Sequence, residues 1–134
     1  MGKVIKKSAS VDQRKNWVAL LGELADQVES WATSMNWPVA RQEKLIEERA
    51  IGSYAADVVH IKTPQGILIV EPVAREIMRG DGRVDMYAFP TLRRVVIVRE
   101  GDKWTFYSDS SVRLSKSWKK DNFINLAKDL TSAI

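Results

Sequence analysis

Three carboxylates, Asp57, Glu71 and Asp85, fall in three successive stretches rich in β-branched residues, and Arg75, Tyr87, Arg94, Tyr107 and Asp109 lie in or beside such stretches. Carboxylates on adjacent strands are the donors that hard divalent cations use in hydrolysis. Arginines beside them suit a bound carboxylate or phosphate, and tyrosines offer a flat contact surface ending in a hydroxyl. The same mixture also describes a solvated lattice of exposed ion pairs, which adds little to stability and performs no chemistry. Which of these holds depends on the strand and the face that each residue occupies.

The stretches "YAADVVHIK", "ILIVEPVARE", "RVDMYAF", "LRRVVIVRE" and "KWTFYSD" read as strands, separated by the turn signals "TPQG", "GDG", "PT" and "GD". "ARQEKLIEERAIG" is ambiguous between helix and strand and is taken as a first strand. Turn length sets register, and register sets faces. A three-residue turn at "TPQG" places Thr63 opposite Ile67, and a three-residue Gly80-Asp81-Gly82 loop places Arg79 opposite Arg83. Two-residue turns at Pro90-Thr91 and Gly101-Asp102 follow. One face then collects Ala56, Val58, Leu68, Val70, Pro72, Ala74, Val84, Met86, Ala88, Val95, Ile97, Trp104 and Phe106. The other carries Asp57, Glu71, Arg75, Asp85, Tyr87, Arg94, Tyr107 and Asp109 beside Val59, Ile61, Ile69, Val73, Val96 and Val98. Arg75 stands opposite Tyr87, Tyr87 opposite Arg94, and Arg94 opposite Asp109. His60 falls on the core-facing parity.

Helices must cover the apolar face. Trp17, Leu21, Leu24, Val28, Trp31 and Met35 recur every three or four residues, and Ser10 with Gln13 forms a capping box, so a helix is expected from about Val11 to the Pro38 break. "DNFINLAKDLTSAI" places Phe123, Leu126, Ala127, Leu130 and Ile134 on one side of a closing helix. Residues 1–10 read as a basic flexible tail and 11–134 as a single α+β domain. Its sheet is a five- or six-stranded antiparallel meander with an N-terminal and a C-terminal helix packed on one face.

The chain has 134 residues, 45% hydrophobic and 28% charged, which suits one core without staples. It has no cysteine, so disulfides and thiol chemistry are excluded, and a single histidine rules out a metal site built from several. There is no signal-peptide apolar run and no stretch long enough to span a membrane, so a cytoplasmic, bacterial-type protein without a membrane partner is expected. Lys6 occupies the position where myristoylation needs Ser or Thr. "RGD" at residues 79–81 is turn chemistry.

A net charge of +4 permits weak attraction to nucleic acid, and "KVIKK" and "SKSWKK" pair cations with Trp118 only in the second case. Asp57, Glu71 and Asp85 also invite comparison with the PD-(D/E)xK nucleases, in which strand carboxylates hold magnesium. Here, however, Pro72-Val73 follows Glu71 where that motif has its lysine two positions on. The reading is therefore a non-catalytic binding or adaptor domain, with no cofactor and no metal. Its open polar and aromatic face takes a protein or small anionic partner, and a homodimer is possible. A nucleic-acid-associated protein and a metal-dependent nuclease-like enzyme are the alternatives.

Overall fold

The computed structural model describes residues 2–78, 80–108 and 115–132, with side chains from Ala9 onward. The order is α1 (Gly2–Ser34), β1 (Val39–Glu48), β2 (Gly52–Thr63), β3 (Gly66–Ala74), β4 (Arg83–Phe89), β5 (Arg94–Glu100), β6 (Lys103–Ser108), β7 (Ser115–Ser117) and α2 (Lys120–Thr131). All seven strands neighbour one another in chain order, so the α+β meander is as expected, with seven strands rather than five or six. The added strand is β7, three exposed residues paired to β6 through the backbone alone, which hydrophobic patterning does not register.

Helix α1 begins at Gly2, not near Val11, so the expected tail is helical from its second residue. "KVIKKSAS" contains no proline or internal glycine, and Lys and Ala are good helix formers, so nothing halts the helix before Gly2. Its other end closes with Asn36 in the left-handed region (φ 61°). The Asn36 amide bonds to Thr33 O and the Trp37 amide to Ala32 O, the paired bonds of a Schellman end.

Trp17, Leu21, Leu24, Val28 and Ala32 of α1, with Phe123, Ile124, Ala127 and Leu130 of α2, form one core with Leu68, Val70, Val84, Met86, Ala88, Val95, Ile97, Trp104 and Phe106 of the sheet. Trp31 is only partly buried, its ring tilted against those of Trp118 (4.9 Å) and Phe123 (5.4 Å).

Two turns differ from expectation. Between β2 and β3, Thr63 pairs with Gly66, not Ile67, around a two-residue Pro64-Gln65 turn. The Thr63 hydroxyl accepts the Gly66 amide (3.1 Å) and donates to Gly66 O (2.9 Å), which holds the tight turn closed. One residue of slip reverses β2. Val59 and Ile61 therefore oppose Val70 and Leu68 in the core, Asp57 turns to the helix side, and His60 stands beside Ile69 on the open face. Nearer the β1–β2 turn the pair runs beyond β3, where two-stranded ribbons twist most. There Ile46, Ile51, Tyr54, Ala56 and Val58 are buried, and Trp17 Nε1 donates to the Tyr54 hydroxyl (3.0 Å).

Between β3 and β4 there is no three-residue hairpin. β3 bulges at Val73 and ends with Ala74 opposite Arg83, leaving residues 75–82 as a loop. Arg79 lies outside the described residues. The loop returns along β5, where the Asp81 amide bonds to Arg99 O and the Arg99 amide to Gly82 O. Gly82 passes beneath Trp17, whose ring would stand 2.3 Å from any added Cβ. Pairing has slid by an even count, so parity survives: Glu71 faces Asp85, and Tyr87 faces Ile69 rather than Arg75. Tyr87 opposite Arg94 and Glu100 opposite Lys103 are as expected.

Candidate functional site

Glu71 is the centre of the open face. It extends from β3 just before Pro72, which has no N–H for the ladder, so pairing with β2 stops at Val70. Lys44, reaching from β1, replaces the missing partner: its Nζ donates to Glu71 Oε2 (2.7 Å) and to Pro72 O (3.2 Å). From β4 the Tyr87 hydroxyl donates to Glu71 Oε1 (2.6 Å). Burial alone pushes the Glu71 carboxyl up, but the Lys44 and Tyr87 hydrogen bonds and the charges of Lys44 and His60 outweigh it and hold the group below its ordinary value. The same contact acts oppositely on its donor. Burial, then the hydrogen bond to Glu71, push the Tyr87 hydroxyl up to about 12. Phe89 stands edge-on to Tyr87 with centroids 5.8 Å apart.

Asp85 is the second node. Arg83 grips it with Nε (2.7 Å) and Nη2 (3.3 Å), and Arg94 Nη1 stands 3.5 Å from its other side. Beyond these charges the face becomes apolar. A trough of about 780 Å³ has Val96 and Val98 as its floor and Ile77 and Met78 of the β3–β4 loop as its wall. Arg83, Glu100, Tyr107 and Ser108 complete the rim, and the Tyr107 hydroxyl is fixed by donating to Glu100 Oε1 (2.6 Å). Met78 is fully exposed, with relative accessibility of 103%.

Of the residues expected on this face, the structure brings together Glu71, Asp85, Tyr87, Arg94 and Tyr107. Asp57 does not join them. It lies on the helix side, 3.3 Å from Arg41 Nη1, because of the tight Thr63–Gly66 turn. Arg75 has passed the bulge, and its guanidinium pairs with Glu76 (2.7 Å) instead of standing by Tyr87. Asp109 lies outside the described residues.

The three carboxylates proposed for a nuclease are thus split between two faces, and among the described residues no group of three or more His, Cys, Asp or Glu is placed to hold a metal ion. Lys44, Arg83 and Arg94 each hold a carboxylate on this face. No helix among the described residues is long and apolar enough to cross a membrane.

Sequence reasoning missed His60 and Lys44. The signal for His60 was present: Pro64 second and Gly66 fourth in "TPQG" are the preferences of a four-residue β-turn, which closes a two-residue loop. No comparable signal marks Lys44, which reaches Glu71 across the width of β2. In comparisons with known proteins, no family model matches the chain, and no curated protein and no solved structure shows significant similarity to it.

Proposed function

We propose that the chain is a non-catalytic binding domain whose open sheet face receives a partner in the trough between Met78 and Tyr107. The observation that carries this reading is the trough itself. Its valine floor and Ile77–Met78 wall leave apolar surface in contact with solvent, while the adjoining polar side chains are fixed by their own hydrogen bonds. A concave apolar floor with a few pre-oriented polar groups is the usual form of a ligand or protein docking site. Arg83 on the rim, oriented by Asp85, favours a partner that brings an apolar side chain and an anionic group together.

The apolar anion 8-anilinonaphthalene-1-sulfonate serves as a probe. Val98→Asp places a charge on the floor without touching the core and is expected to weaken probe binding by about tenfold or more, the effect of desolvating an unpaired carboxylate. Leu92→Asp, at an exposed apolar residue away from the trough, is the control and leaves binding unchanged. Equal binding by both variants removes the trough as the site.

A further inference from the structure

The long outer edge of the sheet is a second surface, independent of the trough. β1 is an edge strand of ten residues, whereas the opposite edge, β7, has three. The direction of its free groups follows from one bond. The Lys62 amide donates to Pro38 O across the position where β1 and β2 continue in register, so even-numbered residues of β1 form the hydrogen-bonded pairs with β2. Val39, Arg41, Glu43, Leu45 and Glu47 therefore aim their amides and carbonyls outward, and no backbone bond among the described residues meets them there. Natural sheets commonly blunt such an edge with charged side chains, as β1 does with Arg41, Glu43, Lys44, Glu47 and Glu48, or with proline, a bulge or a covering segment. β1 contains no proline, pairs with β2 without a bulge, and leaves Leu45 at 69% exposure in its middle.

The chemistry beside this edge is one-sided. Asp26 and Glu29 of α1 and Asp57 of β2 share the cation Arg41, Glu43 and Glu47 follow it along the exposed side of β1, and Lys44 of the same strand is turned to Glu71 on the open face. A hollow of about 380 Å³ opens between α1 and β1, lined by Asp26, Glu29, Ser30, Thr33 and Arg41. The chain as a whole carries +4, so this acidic border is a local departure from its charge. A second copy pairing through the same edge would bring two acidic borders together. A strand with cations at alternate positions would neutralise them.

We propose that β1 accepts an extended, basic segment of a partner protein as an eighth, antiparallel strand. Residues of that segment opposite Glu43 and Glu47 are cationic, and the one between them, opposite Leu45, is apolar. Backbone bonds to the outward groups provide attraction independent of sequence, and the acidic border selects the partner.

The test uses the intact chain and the peptide acetyl-Thr-Lys-Thr-Val-Thr-Lys-Thr-amide, followed by NMR amide exchange. The peptide, centred opposite Leu45 and reaching from residue 42 to 48, is expected to slow exchange at Glu43, Leu45 and Glu47 without further slowing the even-numbered amides. Replacing its lysines by glutamates, or the pair Glu43→Lys and Glu47→Lys in the protein, is expected to weaken binding by about tenfold or more, as reversing complementary charges does. Both positions are exposed, so the fold is retained, and a circular dichroism spectrum checks this. Three results overturn the proposal: no slowing at the odd-numbered amides, equal affinity for the glutamate peptide, or odd-numbered amides already protected in a species that sediments as a dimer. The last would assign the edge to a second copy.

Discussion

At the scale of single residues, the open face is governed by the order in which hydrogen bonds are satisfied. Glu71 is half-enclosed and would resist ionising there without Lys44 and Tyr87, which make the carboxylate the favoured form. A carboxyl held below its ordinary value contributes stability that is complete above the unfolded-state value and is lost as pH falls through the folded one. Tyr87 has the opposite sign: its raised value gives stability that is complete below the ordinary tyrosine range and is lost as pH rises toward about 12. Tyr87→Phe removes the hydroxyl and keeps the ring against Phe89. We expect it to cost about 1.5 to 3 kcal/mol at neutral pH, the range for a hydrogen bond to a charged group. It should also raise the Glu71 titration midpoint in carboxyl NMR and shrink the loss of stability in the alkaline limb. An unchanged Glu71 midpoint would show that Lys44 alone sets the carboxylate.

At the scale of elements, the β1–β2 pair is tied to the rest of the sheet by Glu48 where strand pairing has stopped. Both Glu48 oxygens accept the Arg75 amide (3.0 Å each), Oε1 also accepts the Glu76 amide (3.0 Å), and Oε2 accepts the Tyr54 hydroxyl. Trp17 extends the chain of bonds to α1 through Tyr54, whose ionisation is pushed upward by burial and then by its bond to Glu48. One side chain thus joins the hairpin, a helix and the segment that leads to the trough wall. Glu48→Ala leaves those donors without their acceptor and is expected to cost about 2 to 4 kcal/mol, with Glu48→Gln between it and the parent. Urea denaturation measures both, and a loss below about 1 kcal/mol would show that water replaces the carboxylate.

The elements also show what was legible in the sequence. Apolar alternation within β3 to β6 and the three-and-four spacing of α1 and α2 set their core faces, because one buried face enforces a period. Connections were harder to read, since a difference of one residue in a turn leaves composition unchanged. At Thr63–Gly66 that difference moved Asp57 off the open face and placed His60 on it. At residues 75–82 the error was even-numbered, so Glu71, Asp85 and Tyr87 kept a common face although their partners changed. Lys44 and Glu48 were not legible, because their contacts cross from β1 to the far end of β3 and no local pattern encodes them.

At the scale of the whole molecule, the aromatic side chains bind the two ends of the sequence into one unit. Trp104 of β6 lies 5.8 Å from Trp17 of α1 and 6.4 Å from Trp118, which precedes α2, and Arg99 covers its ring at 5.3 Å. Trp118 in turn contacts Phe106 at 5.0 Å and donates from Nε1 to Gln27 of α1 (2.6 Å). Helix α1 and the Trp118 segment leading into α2 are thereby fastened to the β5–β7 end of the sheet, while α1 also packs along β2 and α2 against β3 and β4. Such a molecule should unfold as one body, because loosening either helix uncovers the same core. Trp104→Ala tests this at the point where the contacts converge. Trp104 is 6% exposed, so truncation should cost about 3 to 5 kcal/mol, the range for a large buried aromatic. Unfolding followed by helix circular dichroism and by fluorescence of the remaining tryptophans should keep a common midpoint in the variant. Separate midpoints would mean that the two ends of the sheet unfold independently once this ring is removed.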